Sequence, residues 1–388
     1  MDSLNVKNFG PIKDVNVSLG DLTLLIGPQA SGKSLFLELF KLVNDHAHIL
    51  STLRKYNYIL SKTDTKPVLE NYFGEGLSSL FTPETAIEYN GEPFNISRRL
   101  LSNGLSKENQ KSEESVFYIP AQRILSISDG RAKNFMEFDI STPYVLRMFS
   151  ETLRVFVQSG LGNPDTIFPM RTRLKGKLKA SINETIFHDA RVIIDQSSGQ
   201  RKMKLQVGNM SLPFMTWSAG QKEFMPLLLA IYCLSGPPTP VLKKENYKWV
   251  IIEEPEMGLH PRAIETVILE IIELIQSEYK VIVSTHSPAL LEFAWAFKNL
   301  QQGCRGHFKQ AMCELFAVSG RSSAASLFDQ LEKKRINTFY FSAKKQEGVV
   351  SSDITSLDVS SDNLDISEWG GLSSFASRVS EIVSNYGE

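Results

Sequence analysis

Residues 27–34 read Gly-Pro-Gln-Ala-Ser-Gly-Lys-Ser, a complete G-x-x-x-x-G-K-[ST] phosphate loop. The apolar run Leu22–Ile26 stands directly before it, and a helical pattern opens at Leu35 directly after it. That order of strand, loop and helix restricts the chain to an α/β fold with the loop at the end of a buried strand. Glycines let the backbone close around an anion, so that successive N–H groups and the helix N-terminus face it. Gly27, Pro28, Gln29, Ala30, Ser31 and Gly32 are therefore candidates to line the phosphates. Lys33 is placed to reach the β- and γ-phosphates and Ser34 to ligate Mg²⁺. The sequence predicts a chain that binds a nucleoside triphosphate.

Two further strand ends supply chemistry. Residues 249–261 read Trp-Val-Ile-Ile-Glu-Glu-Pro-Glu-Met-Gly-Leu-His-Pro, an apolar strand that runs straight into acids. Such a strand, buried on both faces, delivers its carboxylates to the edge where the phosphate loop emerges. Glu253 is placed to hold Mg²⁺, directly or through a water, and Glu254 to polarise the attacking water. About thirty residues on, Val281-Ile-Val-Ser-Thr-His-Ser287 is an apolar strand with a polar tip. Apolar spacing over 264–275 predicts a helix between the two, hence a parallel strand–helix–strand unit. His286 then emerges on the same edge, where it can donate to the γ-phosphate or orient the water.

Residues 217–223 read Trp-Ser-Ala-Gly-Gln-Lys-Glu and open an apolar helical stretch over 224–234. Backbone N–H groups, the Ser218 hydroxyl, Gly220, Gln221 and the positive helix end offer a second anion site. The phosphates already have a cradle in 27–34, so this turn makes sense if it serves the nucleotide of another subunit. Pro226 inside the helix is expected to kink or tighten its first turns.

Charge and cysteines narrow the setting. The formal net charge of −1 gives no global field toward nucleic acid or anionic membrane. Cys233, Cys304 and Cys313 show no C-x-x-C spacing and read as reduced thiols. With no apolar stretch of ~18 residues and no basic-then-apolar start, the chain is expected to be cytoplasmic and not membrane-bound.

The ordered set GPQASGKS, WSAGQKE, WVIIEEPEMGLHP and VIVSTHSP resembles the ABC-type ATPase superfamily, in its soluble AAA-type branch. That branch includes the overcoming-lysogenisation-defect and recombination-repair ATPases. Residues 4–12 resemble its first strand and turn, and Tyr118-Ile-Pro-Ala-Gln-Arg123 its Q-loop segment. Where many members have Asp, this chain has Glu253. The resemblance implies a mixed central sheet, a helical subdomain and an insertion in the first lobe. It divides a single domain into a nucleotide core (1–40, 116–140 and 187–388), an insertion (41–115) and a helical subdomain (141–186). It also implies a head-to-tail dimer, or a higher oligomer, with ATP sandwiched between residues 27–34 of one subunit and Ser218, Gly220 and Gln221 of the next. Residues 257–260 would lie at the seam. Gln122 would sense the γ-phosphate or Mg²⁺, although Arg123 is an equally plausible phosphate reader.

The remaining segments are less specific. Residues 41–60 look helical, 101–115 look like an exposed polar loop, and 141–186 look largely helical. Arg171, Arg173, Lys175, Lys177 and Lys179 form a basic run that could contact nucleic acid, though a solvated face is the commoner explanation and no aromatics interleave. In the tail, a strand over 338–341, a short hairpin or edge and a closing helix over 372–386 are expected. Asp358, Asp362 and Asp365 lack the strand delivery that a fused metal nuclease needs. Three functions compete. One is the ATPase of a two-component bacterial anti-phage system, switching a separate nuclease or toxin effector. Another is a repair ATPase acting on DNA ends. A transporter motor fits worst, because the insertion and the soluble-branch opening do not suit it.

Overall fold

The computed structural model describes residues 2–101, 113–161, 165–170, 172–197, 199–239, 241–304, 306–344, 348–373, 378–379 and 382–384. Strands β1 (Ser3–Phe9), β2 (Ile12–Ser18) and β3 (Leu22–Ile26) open the chain, and helix α1 (Lys33–Lys55) leaves the phosphate loop. Next come α2 (Lys66–Phe73), β4 (Phe81–Tyr89), β5 (Glu92–Pro93), α3 (Ile96–Leu101) and β6 (Val116–Ile119). A small ribbon, β7 (Ile127–Ser128) and β8 (Arg131–Ala132), precedes α4 (Tyr144–Val155). Then follow β9 (Thr166–Phe168), α5 (Gly176–Ile182), β10 (Arg191–Asp195), β11 (Lys202–Val207) and β12 (Met210–Pro213). The C-terminal half alternates α6 (Ala219–Ser235), β13 (Trp249–Glu253), α7 (Pro261–Gln276), β14 (Lys280–Ser284), α8 (Pro288–Gly303) and α9 (Phe308–Leu315). Strands β15 (Ile336–Lys344) and β16 (Gly348–Asp353) and the one-turn α10 (Leu364–Ser367) end it.

The main sheet has strand order β5-β4-β1-β2-β16-β15-β3-β14-β13-β6. Strands β15, β3, β14, β13 and β6 are mutually parallel, while β5, β4, β1 and β2 form an antiparallel wing. This is an α/β P-loop NTPase fold with a mixed central sheet. Side-chain alternation splits the interior in two. Leu22, Leu24, Ile26, Val250 and Ile252 enter one core with α6 and α7. Leu25, Trp249 and Ile251 enter the other with α1. Burial on both faces is why these strands read as continuous apolar runs.

Helix α1 is longer than a phosphate-loop helix needs, and it kinks at Asp45 (φ −115°, ψ 16°). There the Asp45 carboxylate accepts from Ser115 N (2.9 Å), Ser115 Oγ (2.7 Å), Val116 N (3.1 Å) and Lys41 Nζ (3.0 Å). Lys41 Nζ also donates to Glu114 Oε1 and Val116 O, both at 2.7 Å. Burial alone would lower the Lys41 ammonium, but Glu114 and Asp45 outweigh it and hold its pKa above the usual value. The network fastens α1 to the start of β6. Removing one partner strands buried charge, so Lys41→Met is expected to cost about 3–5 kcal/mol of stability in chemical denaturation. A loss below about 1 kcal/mol would mean that the two acids compensate each other by protonation.

Several boundaries differ from the sequence expectation. Segment 41–115 is no separate insertion: it carries most of α1, and its β4 and β5 extend the main sheet. Within 141–186, α4 and α5 are helical but β9 is a strand. Strand β9 joins β10, β11 and β12 in a separate antiparallel four-stranded sheet, so residues 191–213 lie outside the main sheet of the nucleotide core. The tail strand expected over 338–341 is β15, which pairs parallel with β3, and β16 closes a hairpin onto it. Residues 102–112 of the polar loop and Arg171 fall outside the described residues. So does part of the closing helix, of which the described residues 378, 379 and 382–384 are helical and exposed.

Candidate active site

Parallel pairing brings the chemistry to one sheet edge. Strand β14 lies between β3 and β13, with Glu253 opposite Ser284 and Ser284 opposite Leu25. The phosphate loop, the Glu253–Glu254 tip and the Thr285–His286 tip therefore leave neighbouring strands on the same side. Glu254 N donates to Ser284 O (2.8 Å), and Thr285 N to Leu25 O (3.0 Å), which knits the three tips together.

The loop itself is tightly determined. Gly27 takes φ 148°, and a Cβ there would lie 2.4 Å from the Phe341 carbonyl of β15. Only glycine allows the neighbouring strand so near. Pro28, Gln29 and Ala30 are exposed, Ser31 is buried, and Gly32 starts α1 in the left-handed region. Lys33 Nζ donates to Gly27 O (2.8 Å), Pro28 O (2.9 Å) and Ser31 Oγ (3.2 Å). Burial lowers its pKa, while Glu254, Glu253 and Glu256 pull it upward.

Ser34 Oγ donates to Glu253 Oε2 at 2.6 Å, bringing the two proposed Mg²⁺ ligands together although 219 residues separate them. The Tyr118 hydroxyl donates to the other oxygen, Oε1. Burial raises the Glu253 pKa, and the Ser34 and Tyr118 hydrogen bonds lower it in part. A hydroxyl and a carboxylate are the hard oxygen donors that Mg²⁺ takes, so this pair fits the ion. Glu254 sits at φ 42°, and its Oε1 lies 3.7 Å from His286 Nε2. Both side chains are about one-third exposed, at 32% and 30%. Glu256 anchors the third tip, accepting from Thr285 Oγ1 (2.7 Å) and His286 N (2.6 Å).

Ser218 is the N-cap of α6 in a reciprocal capping box with Gln221. Gln221 Nε2 continues to Ile186 O (3.2 Å), tying the helix start to the α5 region. Pro226 sits inside α6 without ending it. Gly220 packs on the 257–260 segment, where a Cβ would meet Gly258 O at 2.8 Å. Gly220→Ala must push those two segments apart, at about 1–3 kcal/mol by the scale of overpacking. Thermal denaturation would show it, and an unchanged midpoint would mean that the backbone yields freely. Among the described residues no hydrogen bond joins the Ser218–Gln221 turn to the phosphate loop of the same chain.

The Q-loop pair separates. Gln122 is exposed and precedes a 3-10 turn with no side-chain capping bond. Arg123 is fully buried, with its donors on main-chain carbonyls. The basic run is not one open stripe either. Arg173 is 7% exposed, donates to Tyr232 O (3.0 Å) and lies over the Phe156 ring. Lys175 pairs with Glu273 at 3.8 Å, and Lys177 reaches Ala317 O at 3.4 Å. Sequence reasoning missed Tyr118, Glu256 and buried Glu38, whose pKa burial raises, with the Glu253 charge adding to it. The hydroxyl of Tyr118 was visible as the one polar side-chain group in an apolar strand, but its destination was not.

A protein-family model described as "AAA ATPase domain" matches residues 1–137. A second, "AAA domain, putative AbiEii toxin, Type IV TA system", matches residues 162–292. Over these two segments the chain is similar to AAA-type ATPase domains. The Old nuclease of Escherichia phage P2 is 39% identical over 66 residues, a match spanning 16% of this chain and 11% of that nuclease. Among solved structures, the SMC head domain from Thermotoga maritima overlaps 90% of this chain and 97% of its own, at 11% identity and TM-score 0.39. A dimeric bacterial ABC transporter cassette overlaps 75% of this chain and 90% of its own, at 12% identity and TM-score 0.32. Among the described residues no helix is long and apolar enough to cross a membrane.

Proposed function

We propose that the chain is a Mg²⁺-dependent ATPase that works as a nucleotide-driven switch in bacterial anti-phage defence, controlling a separate nuclease or toxin effector. The observation that carries the ATPase part is the 2.6 Å bond from Ser34 Oγ to Glu253 Oε2, with Glu254 and His286 on the adjoining strand ends. The defence part draws on the names of the relatives alone, a phage nuclease and a putative toxin family.

In this reading the 27–32 backbone and Lys33 bind the β- and γ-phosphates, and Ser34, Glu253 and Gln122 hold Mg²⁺. The ion would neutralise phosphate charge as it develops. Glu254 orients the attacking water and accepts its proton, and His286 holds the water or the γ-phosphate beside it. Ser218, Gly220 and Gln221 close on the nucleotide of a second subunit. Binding and hydrolysis then favour different subunit arrangements, which the effector feels. Exposed parts of 41–115 and 141–186, which ATP chemistry does not require, are the expected docking surfaces.

The purified chain is expected to hydrolyse ATP with Mg²⁺ and to lose ATP binding in Lys33→Ala. It is not expected to cut plasmid, linear DNA or tRNA unless a second protein is added. Cleavage that survives Lys33→Ala and repeated purification would remove the separate effector. A wild-type chain that binds no ATP would remove the whole reading.

A further inference from the structure

Arg123 has no exposed surface, yet its hydrogen bonds go to main-chain carbonyls of two distant segments. Nε donates to Glu223 O (3.1 Å), the fifth residue of α6, two residues beyond Gln221. At the other end, Nη1 donates to Glu253 O (3.0 Å) and Glu254 O (3.2 Å), and Nη2 to Glu254 O (3.2 Å) and Pro255 O (3.4 Å). One planar cation thus spans α6 and the tip of β13, and it is the chain neighbour of Gln122.

What it grips is strained. Glu254 holds φ 42°, a conformation an L-residue with a long side chain keeps only when its surroundings fix it. Its N–H donates to Ser284 O (2.8 Å), and its carbonyl accepts from Met257 N (3.1 Å) and from both terminal nitrogens of Arg123. Together these bonds set the turn from which the Glu254 carboxylate projects beside His286. Burial lowers the Arg123 pKa, and four glutamates, Glu223, Glu256, Glu254 and Glu253, oppose that shift in part.

We propose that Arg123 is a positioning residue for hydrolysis: it locks the strained Glu254 turn to the N-terminal part of α6, so that Glu254 is aimed correctly only while α6 is docked. Its fork is what the task requires. A lysine ammonium keeps the charge but cannot reach Glu223 O and the Glu253–Pro255 carbonyls together. The proposal rests on the ATPase reading above and adds a residue that touches neither phosphate nor water.

The test compares wild type, Arg123→Lys, Glu254→Gln and the double variant, with kcat, KM, ATP affinity from a fluorescent nucleotide, and thermal midpoint. In Arg123→Lys, ATP affinity and KM are expected to stay within about 3-fold of wild type. Its kcat is expected to fall about 10- to 100-fold, the scale of one or two charge-assisted hydrogen bonds. On the Glu254→Gln background the same change is expected to cost less than about 3-fold, because the group being aimed is gone. Arg123→Gln, which keeps a planar donor, is the second variant should the lysine form not fold. A kcat within about 3-fold of wild type, a full additive loss on Glu254→Gln, or an affinity loss matching the kcat loss would overturn the proposal. Failure of both variants to fold would assign Arg123 to the scaffold and overturn it too. Absence of hydrolysis by wild type would instead strike the ATPase reading itself.

Discussion

Glu254→Gln is expected to bind ATP as tightly as the parent chain and to turn it over at least ~10²-fold more slowly, the scale of general acid–base catalysis. The carboxylate stands at the end of β13 with Oε1 3.7 Å from His286 Nε2, one residue past the Glu253 that Ser34 contacts. Glutamine keeps the volume and leaves Lys33, Ser34 and Glu253 in place, so affinity should hold. What it loses is the ability to take a proton from water. Steady-state phosphate release together with equilibrium nucleotide binding separates the two effects. Wild-type turnover in this variant would move the base elsewhere, with His286 the first alternative.

Ser218→Arg carries the other large effect. Ser218 is exposed, and its hydroxyl accepts from Gln221 N at 3.3 Å, while among the described residues the phosphate loop of the same chain makes no hydrogen bond to that turn. An isolated subunit should therefore bind ATP normally, whereas ATP-dependent association and hydrolysis should fall by ~10²-fold or more if the turn supplies charge stabilisation across the seam. Part of any loss comes from the missing N-cap, about 1 kcal/mol. Ser218→Asp separates the causes, since Asp caps as well as Ser but repels a phosphate. Both variants should fail to associate. Recovery in Ser218→Asp would show that only the cap mattered.

Much of the nucleotide edge was legible because each piece is local in sequence. A phosphate loop, an apolar strand running into acids and an apolar strand ending in His286 each declare both element and position. Parallel pairing of β13 and β14 then follows from the intervening helix α7. The failures are non-local. Arg123 looked like a phosphate reader because its charge is visible and its burial is not; its carbonyl partners lie 100 to 132 residues away. Arg173 was placed in a basic stripe for the same reason. The small sheet was missed although Lys202-Met-Lys-Leu-Gln-Val207 alternates cleanly, with Met203 and Leu205 inward, because residues from 187 onward were assigned whole to the nucleotide core. Strand β4 gave no signal of joining the main sheet, since it lies beside the two-residue edge strand β5 and its residues are mostly exposed.

The central claim is that ATP closes one subunit onto another through the Ser218–Gln221 turn. Light scattering on Glu254→Gln, with and without Mg²⁺ and ATP, tests it most directly, since trapped nucleotide should hold the closed state. The predicted result is a nucleotide-dependent doubling of mass or, for a chain already assembled without nucleotide, a change in hydrodynamic radius that Ser218→Arg abolishes. An identical mass and radius in both conditions, with ATP shown to be bound, would contradict it.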